Sequence, residues 1–224
     1  MDSYRTEEEQ IEVIKQWWKE NGSAIVVGLA IALAGVFGYK AWNNYQDAQA
    51  AEASALFQDV INVVNKGQFG TLSENDLSTF NHLVGKLKAD YSGSTYAQFA
   101  ALLRAQQGVK DDDLEKAQQE LQWVLDQKPE ENIALLAKLR LARVVFAQNA
   151  ENAQQALDLI NNVDAKAYLM SYEHAKGDFY VALNKLSEAR EAYTKAIAAG
   201  EKAEQVDPTI QVKLDNIAVA KEGA

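Results

Sequence analysis

The chain has 224 residues, 48% of them hydrophobic and 24% charged, with 12 Gly, 2 Pro and no Cys. This composition excludes collagen, a disulfide scaffold and wholesale disorder. A formal charge of -10 removes the counterion-release term that drives nucleic-acid affinity, so no nucleic-acid partner is expected, and the absence of cysteine excludes thiolate catalysis, cysteine-ligated zinc and iron–sulfur clusters.

The first element is an uncharged run from Asn21 to Tyr39, with Ala24 to Gly38 at its centre. At about 1.5 Å per residue it reaches roughly 28 Å, the thickness of a bilayer's hydrocarbon core. Ile25, Val26, Val27, Leu29, Ile31, Leu33, Val36 and Phe37 all favour insertion. Trp17 and Trp18 before the run, and Tyr39, Trp42 and Tyr45 after it, stand where aromatic rings prefer the headgroup layer, the alternative being ordinary core. Ala32-Leu33-Ala34 has the form of a signal-peptidase site. Cleavage is not expected there, because the preceding segment is long and acidic and apolar residues continue beyond it. Lys15 and Lys19, with Arg5 further out, face Lys40 alone, which puts the N-terminus inside and residues 40–224 outside. In a Gram-negative bacterium the outside is the periplasm.

Beyond Tyr45, apolar residues recur every three or four positions, which predicts helices and no strands. A stalk helix over Ala48 to Asn65 places Ala51, Ala55, Leu56/Phe57, Val60 and Val63/Val64 on one stripe and stops at Lys66-Gly67. A second helix is capped by Ser73 and carries Leu77, Phe80, Val84 and Leu87 up to Asp90-Tyr91-Ser92-Gly93. Later segments repeat with a period near 34 residues, as tetratricopeptide repeats do. The clearest unit is Gly177-x-x-Tyr180 followed by Ala189, Tyr193 and Ala196. A second unit has a first helix around Ala101 to Gln107, then Ala117, Leu121, Val124 and Pro129. A third runs from Leu139 through Val144 to Ala153, Leu157 and Ile160. Generic helical hairpins are the alternative.

Catalytic signatures are missing. No phosphate-binding glycine loop occurs, His82 and His174 lack companions spaced for a metal, and no nucleophile elbow is present. Asp111-Asp112-Asp113 precedes Leu114-Glu115-Lys116 and reads as a helix start favoured by the dipole, not a cation site. Neither enzymatic activity nor a cofactor is expected.

The block Gln10-Ile-Glu12-Val-Ile-Lys15-Gln-Trp17-Trp18-Lys-Glu20-Asn21-Gly22, followed by Gly28, Gly35, Gly38-Tyr39 and Trp42, resembles the YfgM family of bacterial inner-membrane proteins. So do Leu139-Arg-Leu-Ala-Arg143-Val144 and Leu114-Glu-Lys-Ala117. The resemblance runs from about residue 7 to residue 200. It implies an all-α protein with one transmembrane helix and a periplasmic tetratricopeptide-like solenoid of helical hairpins, acting as an ancillary subunit of the Sec translocon. It further implies association with the membrane-anchored foldase PpiD and a chaperone-like role toward newly exported, unfolded polypeptides. Two features depart from the family: a longer stretch from Lys66 to Asp90, and a charged tail, Lys221-Glu222-Gly223, after the last expected helix.

The expected organisation is an acidic cytoplasmic segment (1–23), a transmembrane helix (24–39), a stalk and first hairpin (40–94) and a repeat domain (95–224). Stacked pairs offer a concave face from the first helix of each pair. Counted from Ala142 and Gly177, that face includes Leu139, Arg143 and Phe146, then His174, Asp178 and Val181. A groove of apolar and charged side chains suits an extended or helical segment of another protein. In the membrane helix, Gly28, Ala32, Gly35 and Tyr39 share one face that would permit close approach of another membrane helix. Two other functions fit the same sequence: a tether that never touches clients, and a regulator acting through the acidic segment 1–20.

Overall fold

The computed structural model describes residues 7–67 and 72–222, with side chains from residue 9 to residue 217. Every regular element among them is helical. The chain divides after Glu52 into two units, and helix α1 (Glu7–Lys66) contributes to both.

In the first unit, nothing in the sequence between Glu7 and Glu52 breaks a helix, and α1 runs through it uninterrupted. The large apolar side chains from Ile25 to Phe37 are 41–68% exposed, so they fill no core. Trp17, Trp18, Tyr39, Trp42 and Tyr45 are exposed as well, which removes the core alternative for these rings. This is one helix long and apolar enough to cross a membrane. Gly28 and Gly35 have open space around them and Ala32 and Tyr39 are exposed, so nothing among the described residues covers the small-residue face. Trp18 instead folds its indole over Gly22, where a Cβ would sit 3.0 Å from the ring.

The second unit is built from helical hairpins. The end of α1 packs with α2 (Glu74–Asp90) around Val60, Val63, Phe80, Val84 and Leu87. The stripe on α1 is turned relative to the sequence expectation. Ala53 is buried while Ala51 and Ala55 are exposed, because the spacing 53, 56/57, 60, 63/64 keeps one helical face toward Phe80 and Leu87. Ser73 caps α2 by accepting from the Asp76 N–H, and Ser94 does the same for α3 (Thr95–Lys110) from Ala97. The first repeat helix is therefore longer than Ala101 to Gln107, running from Thr95 after the Ser94 cap to Lys110.

Three pairs follow: α3 with α4 (Leu114–Asp126), α5 (Glu131–Gln148) with α6 (Ala153–Ile160), and α7 (Leu169–Ala182) with α8 (Leu186–Lys202). A last helix, α9 (Pro208–Glu222), packs against α8. Lys221 and Glu222 belong to α9 and do not form a tail, while Gly223 lies outside the described residues. Contacts join mainly helices adjacent in sequence, as in a repeat stack. The small-residue positions read from the sequence are buried in every unit: Ala117, Ala142 and Ala153, and Gly177 and Ala189; Ala105 is buried on α3 as well.

Several turns use a non-glycine residue in the left-handed region: Asp112 after α3, Lys128 after α4, Asn162 after α6, Asn184 after α7 and Glu204 after α8. After α3, α7 and α8 the chain then donates back to a carbonyl five residues earlier, from Asp113 to Gly108, Lys185 to Tyr180 and Gln205 to Gly200. These bonds satisfy the last carbonyls of each helix. Asp113 in turn caps α4 through the Lys116 N–H, so the aspartate run is a helix start, as its position suggested.

At the seam between the first two hairpins, Glu120 on α4 is nearly buried and accepts from two cations. Lys88 Nζ of α2 is 2.7 Å away and Arg104 Nη2 of α3 is 2.5 Å away. The Lys88 ammonium also lies 4.5 Å over the Trp123 ring centroid, a cation–π contact. Burial pushes the Lys88 amine below its usual range despite Glu120.

Candidate protein-binding face

The first helices of the pairs, α3, α5 and α7, carry the side chains of interest. Helical spacing sets every third or fourth residue on one face, and the structure opens two clefts there. One, of about 330 Å³, lies among α3, α4 and α5. Leu121 and Val144 form its floor, with Ala105, Val109, Leu114 and Ala147 around it and Arg140 and Arg143 at its side. The other, of about 550 Å³, is lined by Phe146, Asp178, Val181, Leu186, Tyr193, Lys213, Asn216 and Ile217.

The six residues expected on this face divide four ways. Phe146, Asp178 and Val181 come together in the second cleft, and Arg143 lines the first. Leu139, only 3% exposed, belongs to the hydrophobic core and lines neither cleft. The reason is its register: Leu135, Leu139 and Ala142 follow the buried side of α5, whereas Arg140 and Arg143 follow the side that opens outward. His174 is half-buried beside the second cleft without lining it.

Around His174 the structure builds a polar cluster. Asp178 accepts from the Tyr193 hydroxyl and from Lys213 Nζ, each at 2.7 Å. Lys213 Nζ is also 2.9 Å from His174 Nε2. Because an ammonium only donates, Nε2 must accept there, which requires a neutral ring with its proton on Nδ1. Asp207 lies on the Nδ1 side at 3.9 Å. Burial is the main influence that lowers the imidazole pKa, with Lys213 and Arg143 acting in the same sense and Asp178 and Asp207 opposing them. Burial, followed by the bond to Asp178, pushes the Tyr193 phenol up.

A pH dependence follows. The folded ring titrates below the ordinary value of about 6.5, so the unfolded chain takes up its proton first as pH falls. The stability contributed by neutral His174 is present above about pH 6.5 and is lost as pH drops through the folded pKa. The urea midpoint should therefore fall on going from about pH 7.5 to about pH 5.5, and His174→Gln should flatten that slope. Equal slopes in the two proteins would show that His174 is not the titrating group.

Arg140 and Lys213 are the charged face residues that sequence reasoning missed. Arg140 had a signal, since it stands one turn before Arg143. Lys213 had none, because α9 carries no repeat motif. Among the described residues, no group of His, Asp or Glu is arranged to hold a metal ion.

Comparison with known proteins agrees with this architecture. Residues 15–219 match the tetratricopeptide repeat-like domain family. A protein of Haemophilus influenzae named ancillary SecYEG translocon subunit is 29% identical over 216 residues, covering 96% of this chain and 100% of its own. Proteins of the same name from Escherichia coli and Neisseria gonorrhoeae are 26% and 29% identical, covering 98% and 97% of this chain and all of their own. The name they share is the one implied by the resemblance of the N-terminal block. No solved structure matches the chain. The family match takes in both the apolar helix and the stacked hairpins, and the chain belongs to the tetratricopeptide repeat-like domain family.

Proposed function

We propose that the chain is a membrane-anchored, non-catalytic protein-binding subunit that works beside the Sec translocon. In this reading residues 1–23 are cytoplasmic, 24–39 cross the inner membrane, 40–94 form a stalk and first hairpin, and 95–224 form a periplasmic repeat domain. That domain receives segments of newly exported polypeptides or of a PpiD-like foldase in a chaperone-like role. The face Gly28, Ala32, Gly35 and Tyr39 would meet a partner's membrane helix. The names of the relatives support the location. The observation that carries the binding role is the pair of clefts along the first helices, where exposed apolar side chains stand among charged ones. Val109 is 48% exposed and Val181 40%, a mixture suited to a peptide segment.

The test is photocrosslinking in intact membranes with a photoreactive residue at Val181, compared with one at Lys195, an exposed position on α8. Position 181 should give adducts with translocon subunits, the foldase or exported chains, and position 195 should not. Equal yields at the two positions, or none at either, would overturn the proposal.

A further inference from the structure

The first cleft carries more chemical information than its volume. Arg140 and Arg143 stand one turn apart on α5, which places their cations side by side. Burial lowers the pKa of both guanidinium groups, yet arginine remains charged at any working pH. Among the described residues neither makes an ion pair. Five other cations, Lys88, Arg104, Lys166, Lys176 and Lys213, have a carboxylate partner. Arg140 and Arg143 differ from exposed cations such as Arg190 and Lys195 in standing together beside an apolar cleft. The opposite charge that acts on Arg143 is Asp178, and its carboxylate is already held by Tyr193 and Lys213. Arg143 does donate to the Ser171 carbonyl at 3.3 Å, which fixes its direction without neutralising it.

Beside these cations lies an apolar cavity of about 330 Å³, at the small end of ligand sites. It admits a side chain and its flanking backbone, not a whole helix. We propose that this cleft receives an acidic segment of another polypeptide, with one apolar side chain seated on Leu121 and Val144 beside Ala105 and Val109, and the adjacent carboxylate held by Arg140 and Arg143. The inference rests on the binding role above and specifies what is bound. Guanidinium and carboxylate pair in a planar, often two-bonded geometry, which gives such a site direction as well as affinity. The apolar seat then restricts binding to acidic residues that have an apolar neighbour.

The experiment uses the full-length protein in detergent and short fluorescent peptides, capped at both ends so that only side chains carry charge. One peptide alternates leucine and glutamate, a second replaces glutamate by glutamine, and a third replaces leucine by glycine. Anisotropy should show the leucine–glutamate peptide binding about tenfold or more tightly than either of the others. The double variant Arg140→Gln with Arg143→Gln should lose the preference for glutamate over glutamine while still folding, as its circular dichroism and urea midpoint would report. Arg190→Gln, the same charge change at an exposed position of α8, should keep that preference. Equal binding of the glutamate and glutamine peptides, or an unchanged preference in the double variant, would overturn the inference. So would equal losses in the double variant and in Arg190→Gln. Adducts at position 181 together with any of these results would leave the general binding role standing and remove only its acidic specificity.

Discussion

Glu120→Ala is expected to destabilise the repeat domain by roughly 3–5 kcal/mol, the usual consequence of removing one member of a buried ion network. Glu120 is the single acceptor for both Lys88 and Arg104, and all three side chains are largely shielded from water. Its removal leaves two cations facing each other in a half-dry seam with no counter-charge. Arg104 Nε is already buried without a partner, so the network has no spare acceptor to compensate. For a domain of this size the change corresponds to a fall in melting temperature of roughly 6–20 °C. Replacing the three residues together by apolar ones of similar volume should recover most of the loss, because the favourable pairing and the cost of dehydrating the charges disappear together. Thermal melts of the single and triple variants check both statements. A single variant that melts like the parent would mean that water already reaches the seam.

The second large effect is expected at Gly177. A Cβ built on it would fall against the Tyr193 ring, 2.8 Å from Cζ and nearer still to the ring-edge carbons. The ring cannot easily retreat: Tyr193 is only 2% exposed and its hydroxyl is tied to Asp178. Gly177→Leu should therefore cost roughly 3 kcal/mol or more, at the upper end of overpacking effects. Glu188→Gln on the exposed side of α8 should remain within about 0.5 kcal/mol of the parent. A combined variant makes the argument specific. In a Tyr193→Leu background the ring is gone, so Gly177→Ala should become neutral or slightly stabilising through its better helix propensity. That non-additivity in denaturation midpoints is the signature of direct contact. Additive losses would contradict the packing of α7 on α8.

The register of this hairpin was readable in the sequence because Gly177, Tyr180, Ala189, Tyr193 and Ala196 have to meet in a fixed geometry, and only a narrow set of side-chain sizes permits it. Helix caps were readable for the same reason, since Ser73 and Asp113 do local chemistry with residues three positions away. The turns after α4, α6 and α8 were harder to see. Their left-handed positions hold Lys128, Asn162 and Glu204, so the glycine signal is missing. The binding face was legible only in part, because helical periodicity says which residues share a side but not which side the neighbouring helix covers. Leu139 and Arg143 differ by a single turn, yet one is core and the other lines a cleft. Lys213 meets His174 from 39 positions away, a pairing that no local pattern encodes.

The placement of Trp123 also has a practical consequence for spectroscopy. Of the four tryptophans, Trp17, Trp18 and Trp42 precede residue 53, and Trp123 alone lies in the second unit. Its indole touches both of the hydrophobic clusters that meet at the seam and carries the Lys88 ammonium over its face. With the other three indoles replaced by phenylalanine, the intrinsic emission of the protein becomes a one-residue gauge of whether the hairpin of α2 remains docked on the repeats. Since each repeat is braced chiefly by its neighbours, separation at that junction would register as a change in colour while the helical ellipticity barely moved.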